Sequence, residues 1–323
     1  MKLLIAGSGF IVHDWLKIAK EIDGVELIAI TGRNESVMKE LQVEYGIKKI
    51  YLDYDEALRD ADIDTVYVAM PNMLHYTYTK KALDANKNVI CEKPFTVYYD
   101  QLKELQGLAL AKDLVLVEAI SNQYLTNYKK IKDNLKDLGP VRIVSMNYSQ
   151  YSHRYDDFKA GNILPVFDPK KAGGALMDLN VYNIHFVVGL FGKPKKVNYL
   201  PNIQNGIDTS GILTMDYGDF KAVLIAAKDC GAPITSTIEG EKGSIIVKGP
   251  TNELNSFEVY KGQDKIKEVA DNPYNHRMRE EFEEFNRMIE NHDMDEVKRR
   301  LEHSDAVMDV VEKAYVQAGL KLG

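Results

Sequence analysis

Cysteine is nearly absent from this 323-residue chain: Cys91 and Cys230 are the only two, and they lie far apart. A disulfide framework is therefore not expected, and a reducing, cytoplasmic setting is. No cysteines and histidines are spaced as zinc ligands, which argues against a zinc-dependent dehydrogenase and for no metal at all. The chain also lacks a basic excess. Its formal net charge is -7, spread along the sequence, so a nucleic-acid partner is not expected. No apolar run reads as long enough to span a bilayer, and Leu3–Ala6 behind Met1-Lys2 is too short for an export signal, so no membrane partner is expected either. What remains is the balance of a folded protein, 45% hydrophobic and 28% charged. Its length exceeds what one hydrophobic core usually organises, so two domains are expected.

The first third alternates short β-branched runs with helical patterns. The strand candidates are Lys2–Ala6, Val25–Ile30, Ile47–Tyr51, Thr65–Ala69, Asn88–Cys91 and Leu114–Glu118, with helical segments between them. Strand then helix, repeated, predicts a doubly wound parallel sheet, and strands apolar throughout are those covered on both faces. After about residue 120 the pattern changes to runs separated by turn signals, such as Tyr217-Gly218-Asp219 and Gly240-Glu241-Lys242-Gly243. Those predict an α+β domain, residues 121–323, on a large, mostly antiparallel open sheet, interrupted by a helix over Gly174–Phe191. Two closing helices, about His276–Asn291 and Val297–Leu320, are free to pack back on the first domain.

Four segments carry candidate chemistry. The first strand ends in Gly7-Ser8-Gly9-Phe10-Ile11-Val12. Glycines permit a tight turn and close backbone approach, so the next helix can offer its N–H groups to a pyrophosphate. Val12 stands where the fingerprint has Gly or Ala. The second strand ends in Thr31-Gly32-Arg33-Asn34, with no acid to hold ribose hydroxyls. Arg33 can fork onto a 2′-phosphate or be a solvated loop residue; the first reading favours NADP over NAD. The fourth strand leads into Met70-Pro71-Asn72-Met73-Leu74-His75, where Asn72 suits a helix N-cap and His75 is either a cofactor contact or a solvated helix start. The fifth ends in Glu92-Lys93-Pro94, which sets Lys93 at the edge where ligands bind in such sheets; an ordinary Glu92-paired edge lysine is the alternative.

In the second half, Asp178, Tyr182 and His185 are spaced i, i+4 and i+7, so a regular helix would put all three on one face. That spacing suits a catalytic stripe or a satisfied structural network equally well.

Together, Gly7-Ser8-Gly9, Pro71-Asn72-Met73-Leu74-His75, Val89-Ile90-Cys91-Glu92-Lys93-Pro94 and Gly173-Gly174-Ala175-Leu176-Met177-Asp178 resemble the Gfo/Idh/MocA family over nearly the whole chain. The resemblance implies a Rossmann domain, residues 1–120, and a C-terminal domain for substrate binding and oligomerisation, as a homodimer or homotetramer. It implies reversible hydride transfer between NAD(P) and a sugar, polyol or related carbonyl compound. Lys93 would be the catalytic lysine and Asp178 the helix acid. Tyr182 stands where many members have histidine, which resembles glucose–fructose oxidoreductase and the dimeric dihydrodiol dehydrogenases and suggests Tyr182 as the proton donor or acceptor. Asn180 replaces a usual glycine, and Ile120-Ser121-Asn122 lacks an arginine those relatives often carry. Asn122, Tyr124, Tyr151, His153 and His185 are further candidates for substrate contact. A non-catalytic NAD(P) sensor of the same fold is the alternative function.

Overall fold

In the computed structural model, which describes residues 1–322, the chain divides into two units: residues 1–119 with 278–305, and residues 120–277 with 306–323. The first unit is built on six parallel strands, β1 (Lys2–Ala6), β2 (Glu26–Thr31), β3 (Lys49–Tyr51), β4 (Thr65–Val68), β5 (Asn88–Glu92) and β6 (Leu116–Ala119). Their order is β3-β2-β1-β4-β5-β6. Helices α1 (Phe10–Ala19), α2 (Glu35–Tyr45), α3 (Tyr54–Leu58), α4 (His75–Asp84) and α5 (Tyr99–Ala111) alternate with them. The chain winds one way from β1 to β2 and the other way through β4. The loops after β1 and β4 therefore part at the carboxyl edge, where doubly wound sheets bind ligands. Strands β1, β4 and β5 are almost wholly buried, as their continuous apolar runs require.

The second unit begins with α6 (Thr126–Asn134), whose end tightens into a 3-10 turn over Leu135–Leu138 before Gly139. Strand β7 (Val141–Ser149), helix α7 (Arg154–Lys159) and helix α8 (Val181–Phe191) follow. Then come β8 (Lys196–Gln204), β9 (Ile207–Asp216), β10 (Lys221–Ala227), β11 (Thr235–Gly240), β12 (Ser244–Lys248), β13 (Ser256–Lys261) and β14 (Asp264–Val269). They form one sheet in the order β14-β13-β12-β11-β7-β10-β9-β8, antiparallel except where β10 lies parallel to β7. One face buries Val144, Met146, Leu213 and Leu224, while Ile143, Leu200 and Ile212 on the other remain exposed.

Two elements were not expected from the sequence. Strand β14 reads Asp-Lys-Ile-Lys-Glu-Val and is exposed over its first five residues. It is a charged edge strand, the kind that resists pairing with another chain and carries no apolar signal. Helix α7 is six residues long, too short to show a period. Conversely, Pro169–Phe191 is apolar and long enough to pass as a membrane span, against expectation, but 72% of its most apolar stretch is buried within the fold. Two helices close the chain, α9 (Arg279–Glu290) and α10 (Met294–Ala318). Helix α9 belongs to the first unit. Its Phe282 ring sits 4.8 Å from Trp15 of α1 and 5.1 Å from Tyr67 of β4, extending that unit's core.

Candidate active site

The glycine turn is shaped by contacts on one side and open space on the other. Gly7 has φ +128°, a conformation that side chains rarely adopt, and a Cβ there would overlap the carbonyl oxygen of Ala69. Its N–H donates to the carbonyl of Thr31 at 2.8 Å, tying the ends of β1 and β2 together. Around Gly9, by contrast, among the described residues no atom beyond its immediate chain neighbours stands within 4 Å of where a Cβ would be. Helix α1 starts at once, at Phe10, with no side-chain cap. An uncapped helix start over a bare backbone is a cradle for an anion, and a dinucleotide pyrophosphate fits it. Ser8 and Ile11 are half-buried beside it, and Phe10 is 74% exposed. Val12 is fully buried, so the unusual third residue serves the core.

At the end of β2, Thr31 is buried, Gly32 half-buried and Arg33 exposed. The Asn34 side chain caps α2, accepting from the Val37 N–H at 3.3 Å and the Ser36 hydroxyl at 2.8 Å. Capping accounts for Asn34 and leaves Arg33 as the cation at this strand end.

Lys93 is half-buried, and the chain around it is fastened on every side. Before it, the buried Glu92 carboxylate accepts the Tyr67 hydroxyl at 2.7 Å. After it, the Lys93–Pro94 peptide is cis. His75 Nδ1 lies 2.8 Å from the Pro94 carbonyl oxygen, and Nε2 lies 2.7 Å from that of Met70. The Phe95 N–H donates to Glu118 Oε1 at 2.9 Å, and Ser304 of α10 donates to Glu118 Oε2 at 2.6 Å. These fixings come from β4, α4, β6 and the part of α10 up to Asp305, all of the first unit. His75 is thus not a solvated helix start: it is 1% exposed, and each ring nitrogen lies against a backbone carbonyl. Burial pushes its pKa below the ordinary value, with the two carbonyls and Glu118 opposing that shift. Nor is Asn72 a helix N-cap. It opens a 3-10 turn, Asn72–Leu74, whose start carries no side-chain cap, while Met70 is half-buried and Pro71 exposed beside it.

In the second unit Asp178 falls within a π-helical turn, Leu176–Asn180, that leads into α8. A π turn takes in one residue more than an α turn, so the spacing from Asp178 to Tyr182 is not that of a regular α-helix. Asp178 keeps a side chain 34% exposed, Tyr182 is nearly buried, with its ring 6.1 Å from that of Tyr148, and His185 is wholly interior. The turn is held from below by Asp208. Its Oδ2 accepts the Leu176 N–H and the Tyr199 hydroxyl, each at 2.7 Å. Burial raises the Asp208 carboxyl to about 6, against those two hydrogen bonds.

The structure places the other expected substrate contacts in different surroundings. Asn122 and Tyr124 are interior, and Asn122 donates to the Tyr182 carbonyl at 2.8 Å, so it places the start of α8. Tyr151 lies in a surface turn, bonded to Asp156 at 2.6 Å and Lys159 at 3.1 Å, and His153 is exposed just before α7. Sequence reasoning missed Lys228, a buried lysine just past β10 whose Nζ lies 2.6 Å from Asp178 Oδ2. A cation directly after the apolar run of β10 was the available signal.

Comparison with known proteins agrees with this architecture. The family model for the oxidoreductase family with an NAD-binding Rossmann fold, Gfo/Idh/MocA, matches residues 1–119, and its C-terminal domain matches residues 128–246. The scyllo-inositol 2-dehydrogenase (NADP(+)) IolU of Bacillus subtilis is 30% identical over 323 residues, covering 99% of this chain and 98% of the relative. The D-xylose 1-dehydrogenase (NADP(+)) of Hypocrea jecorina is 27% identical, over 94% of this chain and 85% of its own length. Among solved structures, the 3-ketoreductase KijD10 of Actinomadura kijaniata, in complex with NADP and TDP-benzene, shares the fold with a TM-score of 0.85 at 18% identity, over 97% of this chain and 98% of that one. A match across both halves decides the matter: this chain belongs to the Gfo/Idh/MocA oxidoreductase family.

Proposed function

We propose that the protein is an NADP-dependent dehydrogenase or reductase acting on a polyol, a sugar or a related carbonyl compound. The anchoring of Lys93 carries this reading, because a solvated edge lysine needs neither a buried histidine nor a buried glutamate to fix the residues after it. NADP as the dinucleotide is supported by Arg33 at the end of β2 and by the relatives named for NADP(+). The glycine turn and first turn of α1 hold its pyrophosphate, and Arg33 its 2′-phosphate. When bound, NADP donates or accepts a hydride at its nicotinamide.

The chain supplies the rest. Tyr182 takes the proton from the hydroxyl being oxidised and returns it in reduction. Lys93 supplies positive charge at the carboxyl edge of the parallel sheet. Asp178 accepts a hydrogen bond from a neighbouring hydroxyl and so orients a polyhydroxylated ring. Relatives named for scyllo-inositol and D-xylose support a compound of that kind.

The test is a panel of inositols and aldoses with NADP, read at the nicotinamide absorbance band, for the wild type and Lys93→Met. Loss of more than about 10²-fold in turnover is expected, since positioned acid–base help is worth at least that. Variant turnover within about tenfold of wild type would remove Lys93 from the chemistry. Tight NADPH binding with no turnover on any member of the panel would point instead to a nicotinamide sensor.

Assembly through the eight-stranded sheet belongs to the same reading. Its open face exposes Ile143, Leu200 and Ile212 and holds a groove of about 520 Å³ lined in part by Ile143, Thr214 and Val223. An apolar face of this kind suits a second copy of the chain. Light scattering that returns the 36.6 kDa mass of one chain would rule that out.

A further inference from the structure

Lys228 is 2% exposed, yet it carries an ammonium. Taking such a charge out of water costs several kcal/mol unless it is well partnered. Its partners include a carboxylate, a carbonyl and a ring. Asp178 Oδ2 lies 2.6 Å from Nζ, the Val166 carbonyl oxygen lies 3.0 Å away, and the Phe167 ring centroid is 4.7 Å distant. The Val166 carbonyl also accepts the Gly174 N–H at 3.0 Å. Gly173 must be a glycine for the same reason, because a Cβ there would stand 2.7 Å from the Pro165 carbonyl oxygen. The Gly173-Gly174 pair thus lets the 165–167 segment lie against the base of the π turn. That segment and the end of β10 hold one ammonium beneath one carboxylate. Asp178, unlike its partner, keeps a side chain 34% exposed, so it is gripped from the protein side while open to a ligand.

We propose that Lys228 is the positioning residue for Asp178: it fixes the carboxylate in place, so that Asp178 meets substrate hydroxyls as a preorganised acceptor. This rests on the polyol or sugar reading above. The role differs from that of a structural lysine filling a hole in that its effect on the reaction is exerted through Asp178. A group already held in place loses no orientational freedom when the substrate binds, and a displacement of about 1 Å at such a group can cost up to about 10²-fold in rate.

The test compares Lys228→Met, Lys228→Arg, Asp178→Asn and the Lys228→Met/Asp178→Asn double variant with wild type, on whichever polyol or sugar the wild type turns over. Lys228→Met should lower kcat/KM by about 10- to 100-fold, while NADPH affinity, measured by fluorescence, stays within about twofold. Lys228→Arg, which keeps the charge, should recover most of that loss. The double variant should be no worse than Asp178→Asn alone, since the two residues act as a unit. Losses that multiply in the double variant, or Lys228→Met activity within about twofold of wild type, would overturn the assignment while leaving the family chemistry standing. Should the wild type turn over nothing in the panel, the functional reading fails and crystal structures decide the Lys228 question. An Asp178 carboxylate unmoved between wild type and Lys228→Met overturns it, and a displaced one upholds it. If Lys228→Met does not fold, Lys228→Gln takes its place in each comparison.

Discussion

His75 Nδ1 stands 2.8 Å from the carbonyl oxygen of Pro94, so the residue after Lys93 is tied to the first residue of α4. The other ring nitrogen faces the Met70 carbonyl at 2.7 Å, and one imidazole thereby joins the loops that follow β4 and β5. A neutral imidazole has one N–H to donate, so His75→Ala would leave one of these carbonyls without its donor and open a cavity. A buried polar group left unpaired costs roughly 1–3 kcal/mol, so a stability loss of about 2–4 kcal/mol is expected in denaturant titration. Turnover should fall further than NADPH affinity does, because the loosened segment carries Lys93. A variant as stable and as active as wild type would show that the ring fixes neither loop.

Gly7 and Gly9 make a matched pair of opposite controls. At Gly7 both φ and the overlap with Ala69 forbid a side chain, so Gly7→Ala should unfold at markedly lower temperature whether or not cofactor is present. At Gly9, φ is -87° and, among the described residues, nothing beyond its immediate chain neighbours stands within 4 Å of the new methyl. Gly9→Ala should therefore melt like wild type and yet bind NADPH more weakly, because the methyl occupies space the pyrophosphate needs. Thermal melts and a fluorescence titration separate the two. Undiminished NADPH binding by Gly9→Ala would place the phosphates elsewhere.

How much of this the sequence showed depended on which forces the pattern records. The parallel sheet was legible because β1, β4 and β5 are buried on both faces and consist of apolar runs between glycine turns. The placement of Lys93 followed from strand order alone. What held Lys93 did not follow, because the His75–Pro94 and Glu118–Phe95 bonds join residues 19 and 23 positions apart and leave no periodic trace. The face expected for Asp178, Tyr182 and His185 assumed α-helical spacing throughout. The π turn at Leu176–Asn180 shifts that spacing by a residue, and no residue type announces it. Asn122 and Tyr124 are expected from the sequence as substrate contacts. They are interior, and Asn122 bonds the Tyr182 carbonyl.

Asp208 gives a pH dependence whose sign can be stated. Its carboxyl has a folded-state value of about 6 against 3.8 for the free group, burial being the first cause. The folded state therefore binds this proton more readily than the unfolded chain does. The resulting stability is fully present below the unfolded value and is lost as the pH rises through about 6. Asp208→Asn has no such proton. Its stability relative to wild type should rise by on the order of 2–3 kcal/mol between about pH 4 and pH 7. Urea titrations at the two ends of that range measure the difference. A gap that stays constant would mean that Asp208 titrates alike in the folded and unfolded states.

Arg33 should decide between the two nicotinamide dinucleotides. It is exposed just past β2, beside Asn34, whose side chain is committed to the first turn of α2. NADPH carries a 2′-phosphate that NADH lacks, so a guanidinium here acts on one cofactor only. A hydrogen bond to a charged group is worth about 1.5–3 kcal/mol, and removing it should weaken NADPH by roughly ten- to a hundredfold. Arg33→Ala should therefore raise the NADPH dissociation constant by that factor and leave NADH nearly unchanged. Raising the salt concentration should narrow the wild-type preference for NADPH as well, because exposed charges are screened. If Arg33→Ala weakened both cofactors equally, the residue would be shaping the loop and not reading the phosphate. The choice between the cofactors would then rest on the backbone after Thr31.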